Sequence, residues 1–114
     1  MIKKLLIVLL STISLTTSLN VNAGELINGA TIVEVTNTNN NGADFAVILT
    51  GGTGPCVSPS RTIIVFPESK KQSDESYRQA FSIALAGLAN GMKVRVHNFE
   101  DNSCTGANFI SLSK

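Results

Sequence analysis

"SDESYRQAFSIALAGLANG", residues 73–91, runs directly into "MKVRVHNF", residues 92–99, and this junction decides the fold. Ser73 offers a hydroxyl to cap the first free amides of a helix, and Asp74 and Glu75 suit its positive end. Tyr77, Ala80, Phe81, Ala84, Leu85 and Leu88 recur at helical spacing and predict one apolar stripe. Gly91 is a natural left-handed stop. Gly87 lies inside the helix, where glycine costs about 1 kcal/mol relative to alanine, and its bare backbone suits a close approach by a neighbouring element. Past the stop the period changes to two. Val94 and Val96 face inward, with Lys93, Arg95 and His97 on the opposite side of a strand.

Working outward, "ATIVEVTNT" (residues 30–38) is rich in β-branched residues and reads as a strand. It places Val33 and Val35 on one side and Ile32, Glu34 and Thr36 on the other. Asn41-Gly42 is a tight-turn dipeptide, and "DFAVILT" (residues 44–50) follows with Phe45, Val47 and Leu49 on one face. A third strand, "RTIIVFP" (residues 61–67), ends at Pro67, and "NFISL" (residues 108–112) is the last. A short additional strand is expected around Leu26–Asn28. The order is β-β-β-α-β-β, an α+β fold, which fits a small, mostly antiparallel β-barrel carrying one α-helix.

Lys3 and Lys4, the apolar run Leu5 to Leu10, and the small residues of Val21-Asn22-Ala23 predict a secretory signal cleaved after Ala23. Serines and threonines from Ser11 onward interrupt the run that a membrane anchor of about 18 apolar residues would need. The expected exported chain, residues 24–114, is one small domain placed in the periplasm or outside the cell, without a membrane span. With Lys3 and Lys4 removed, seven basic residues face eight acidic ones, a balance that disfavours nucleic acid as a partner. Cys56 and Cys104 form an even pair in an oxidising compartment and predict a disulfide. They are 48 residues apart, too far for a Cys-x-x-Cys redox motif, and one histidine does not complete a zinc set.

Catalysis has few candidates. His97 is the single histidine, with no serine in a Gly-x-Ser-x-Gly turn to serve it. Glu100-Asp101 sit in a turn, where acidic residues are common for conformational reasons. "EDNSCTGAN" lacks the spacing of a calcium loop, so neither a metal nor a cofactor is expected. Lys93, Arg95 and His97 remain as a polar face able to meet a sugar or an acidic partner.

"TGGTGPC", residues 50–56, invites a phosphate-loop reading that its residues refuse. No lysine follows the glycines, Val57 fills the third position of a Gly-x-Gly-x-x-Gly motif, and a strand rather than a helix comes next. The glycines are expected to let the chain leave the second strand, and Cys56 to clasp it.

This loop, the Ala/Leu-rich helix, the Gly91-x-x-Val94-Arg95-Val96 strand and the late Cys104 resemble a group of small uncharacterised exported proteins of Gram-negative bacteria. More remotely, residues 76–104 are similar to the B subunits of subtilase-type and typhoid-type AB5 toxins. That resemblance implies an OB-like barrel, a pentameric ring and binding to host glycans. It assigns no glycan-contacting residue here, and the chain has no Trp to stack on sugars. The function expected is an exported, non-catalytic binding or assembly module, with a glycan or protein partner and a homo-oligomeric form. A monomeric periplasmic inhibitor or envelope-maintenance protein stays open beside it, with "NTNNNGAD" (residues 37–44) as its contact loop, as does a small hydrolase.

Overall fold

The computed structural model describes residues 24–38 and 44–114. The expected signal sequence and the expected Asn41-Gly42 turn lie outside them. Five strands form one antiparallel sheet in the order β3-β2-β1-β4-β5, with one α-helix between β3 and β4. They are β1 (Glu25–Asn37), β2 (Phe45–Thr53), β3 (Thr62–Phe66), β4 (Lys93–His97) and β5 (Phe109–Ser113). Helix α1 spans Asp74–Asn90.

The short strand expected near Leu26 and the strand of residues 30–38 are one element. Register shifts between Asn28 and Ala30 and between Ile32 and Glu34 bend β1 without ending it. Glu25–Thr31 pair with β4 and Asn28–Asn37 with β2, so a single curved strand, paired on both sides over residues 28–31, joins the two halves of the sheet. The second shift also changes which side chains face inward. Ile32 is buried and Val33 exposed, and past the shift Val35 packs partly on the core, so Val33 and Val35 do not share a face as strict alternation would have it.

The terminal strands of the sheet approach one another. The Val65 N–H donates to the Cys104 carbonyl (3.1 Å), and the Ala107 N–H donates to the Val65 carbonyl (3.0 Å). These bonds tie β3 to the segment entering β5 and curl the sheet toward a barrel. The Cys56–Cys104 disulfide, with Cα atoms 5.8 Å apart, fastens the same junction. Leu26, Val47, Leu49, Ile64, Phe66 and Val96 fill the interior.

Residues 50–53 correct the loop reading. Thr50 pairs with Thr31, Gly51 with Ala30 and Thr53 with Asn28, so the glycines prolong β2 instead of ending it. Gly52 and Gly54 have φ of 79° and 138°. A Cβ on Gly54 would stand 2.5 Å from the Leu26 carbonyl oxygen, and one on Gly52 would stand 2.8 Å from that of Asn28. Backbone meets backbone here, and no side chain fits between.

Helix α1 begins and ends at the residues its caps name. The Ser76 N–H donates to Ser73 Oγ (3.0 Å) and the Ser73 N–H donates to Ser76 Oγ (3.2 Å), while Gly91 closes the helix at φ 64°. Its buried ridge is narrower than the apolar stripe. Ala80, Ala84 and Gly87 face the sheet, and a Cβ on Gly87 would meet Leu112 Cδ2 at 2.9 Å. Small residues let the helix lie close to β1 and β5, Tyr77 and Ile83 pack partly on the core, and Phe81, Leu85 and Leu88 turn outward.

Candidate interaction surface

Two regions present groups able to contact another molecule: the outer face of β4 with its following turn, and the outward ridge of α1. On β4, Lys93 and Arg95 are exposed as alternation demands, but His97 is only 8% exposed. The polar face of three is therefore a face of two. Phe99 stacks on the imidazole (ring centroids 4.9 Å, planes 20° apart) and Phe109, directly across the β4–β5 ladder, meets it edge-on at 5.3 Å. The two phenyl rings also touch, at 5.6 Å. Neither phenylalanine was singled out by the sequence reading, because their meeting depends on the β4–β5 register.

Glu25 stands opposite His97 across the β1–β4 ladder. Glu25 Oε2 and His97 Nδ1 are both buried without a hydrogen-bond partner among the described residues. Burial, and then the guanidinium of Arg95, hold the imidazole below its ordinary value of 6.5, with Glu25 acting in the opposite sense. The neutral ring suits its apolar cover.

The turn after β4 is built on the fully buried Asn98. Asn98 Nδ2 donates to Asp101 Oδ1 (2.6 Å) and to the Ser103 carbonyl (3.0 Å). Asn98 Oδ1 accepts from the Glu100 and Asp101 N–H groups, and the Gly24 carbonyl accepts from the Asn98 N–H (2.7 Å). The Ser103 N–H and the Asn98 amide hold the Asp101 carboxyl below its usual value. Lys70 Nζ lies 3.2 Å from Glu100 Oε1 and 3.9 Å from Asp101 Oδ2. The Asp101 carboxylate thus shapes the turn, and both carboxylates pair with Lys70. Among the described residues, no group of three or more His, Cys, Asp or Glu side chains converges as a metal site. Cys56 and Cys104 form the clasp described above, and residues 39–43 of the asparagine loop lie outside the described residues.

On α1, Phe81, Leu85 and Leu88 follow one another at i, i+4 and i+7 and remain 40%, 43% and 38% exposed. Phe81 is anchored by an edge contact to Phe45 (5.1 Å), whereas Leu85 and Leu88 extend the ridge into solvent. Toward the start of α1, a cleft of about 190 Å³ separates the helix from the start of β5. Gln72, Ser76, Gln79 and Asn108 supply its polar lining, Ile83 and Phe109 part of its apolar lining, and no charged side chain contributes.

Strand order, helix position and disulfide together define a small stapled α+β domain of OB-like topology. Residues 6–114 match a family of unknown function, DUF5992, and the chain belongs to it. No curated protein and no solved structure matches the chain, and neither comparison supports a likeness to toxin B subunits.

Proposed function

We propose that this is an exported, non-catalytic assembly module that associates with further copies of itself through the outward ridge of α1. The observation that carries this reading is the run Phe81, Leu85 and Leu88, three large apolar side chains left about two-fifths exposed on one face of a firmly capped helix. Covering such side chains contributes roughly 25 cal/mol per Å² of apolar surface removed from water, which rewards assembly rather than isolation. Export and cleavage after Ala23 belong to the same proposal and agree with the disulfide. Light scattering on the exported protein after size-exclusion chromatography tests the assembly. A species heavier than one chain, growing with concentration in the micromolar range, is expected. A strict monomer throughout that range would remove it.

A second reading, binding of a neutral glycan, is favoured by the cleft between α1 and β5. Three carboxamides with an adjoining apolar wall suit a hydroxyl-rich ring better than a charged ligand. A glycan array reads it directly, and signals abolished by Gln79→Ala would support it.

A further inference from the structure

We propose that His97 is a proton-operated latch on the aromatic cluster at the end of β4: the neutral imidazole holds Phe99 and Phe109 together, and the imidazolium leaves its place and frees them. The placement of the ring makes this possible. His97 stacks on Phe99 and meets Phe109 at a right angle, yet the outer ring, Phe99, is itself 57% exposed and has room to move. The inner nitrogen, Nδ1, is buried and unpartnered. A neutral ring tolerates that position if Nδ1 is the unprotonated nitrogen, losing one acceptor interaction. A charged ring in this placement would hold a buried Nδ1–H donor without a partner and bring a positive charge under apolar cover, a larger penalty.

Charges around the ring fix the sense of the response. From β1, Glu25 faces His97 and favours the proton. From β4 itself, Arg95 opposes it, and Lys93 lies further along the same outer face. Strand β5 presents Phe109 and no titratable side chain over Phe109–Ser113. In the turn, Glu100 and Asp101 are directed to Lys70. The ring is buried against two phenyl groups with Nδ1 unpartnered, Arg95 acts in the same sense, and the exposed Phe99 marks the side on which a charged ring can leave, so proton uptake drives the ring out. Since Phe109 also lines the cleft beside α1, release of the cluster alters the wall of that cleft. The latch stands independently of the assembly proposed above.

His97 is the single histidine, so its ring signals in a proton–carbon NMR spectrum of the intact exported protein need no assignment by mutation. The expected result is a titration midpoint below 6.5, with the ring signals of Phe99 and Phe109 moving at the same midpoint. Arg95→Gln should raise that midpoint and Glu25→Gln should lower it. His97→Phe, which keeps an aromatic ring in place, should leave both phenylalanines unresponsive over the same range. A midpoint at or above 6.5, phenylalanine signals that stay still through the histidine titration, midpoints unmoved by both charge substitutions, or a response that survives His97→Phe would each overturn the latch.

Discussion

The glycine-rich end of β2 and the outward ridge of α1 exchange the roles their sequences suggest. "TGGTGPC" looks like a ligand loop, yet Gly52 and Gly54 lie against the backbone of β1 and Cys56 is bonded to Cys104. The stripe of α1 looks like core, yet Phe81, Leu85 and Leu88 remain in contact with solvent. Glycine marks a place where two backbones must touch, and it does so in a seam as readily as around a phosphate. Large apolar side chains mark a place where something must be covered, without saying by what.

The seam should be sensitive to single changes and the ridge tolerant of them. Cys56→Ser is expected to cost most, about 4 kcal/mol by the chain-entropy relation for a loop of this length, a large share of the ~5–15 kcal/mol stability of a small domain. Denaturant unfolding checks it, and an unchanged midpoint would deny the clasp its role. Gly54→Ala comes next, at roughly 1–3 kcal/mol for a forced left-handed backbone, plus displacement of the Leu26 carbonyl. Gly52→Ala should behave alike.

A smaller effect follows from pH. The His97 proton is bound more weakly in the fold than in the unfolded chain, so its share of stability is complete above 6.5 and declines as pH falls through the window below that value. Melting temperature across this range should fall less steeply in His97→Phe than in the parent protein. Gly87→Ala is expected to matter least. Its added Cβ meets the movable tip of Leu112 rather than backbone, and the gain of about 1 kcal/mol in helix propensity opposes the crowding. A loss as large as that of Gly54→Ala would erase the distinction between the two regions.

Local signals were legible in the sequence. Ser73 and Gly91 fixed the ends of α1 because capping involves only neighbouring residues. Cys56 and Cys104 left one pairing to make. What escaped was set by partners distant in the chain. The extension of β2 through Gly51 requires β1 alongside, and the turn of α1 onto Ala80, Ala84 and Gly87 depends on how closely β5 approaches. Alternation groups His97 with Lys93 and Arg95, but its burial under Phe99 and Phe109 depends on the β4–β5 register. The ridge residues were all named in advance. Their exposure was not, because periodicity measures apolarity and not which side of the helix the sheet will choose.

Assembly through the ridge is tested most directly by measuring mass and melting temperature together on residues 24–114 and on their Leu85→Ser/Leu88→Ser variant. Phe81 is spared because it also supports Phe45. Concentration-dependent association in the parent, and a monomer in the variant that melts within a few degrees of the parent's monomeric form, are the expected results. A variant that assembles as the parent does, or that loses its fold, would contradict a ridge built for contact and return these leucines to the core.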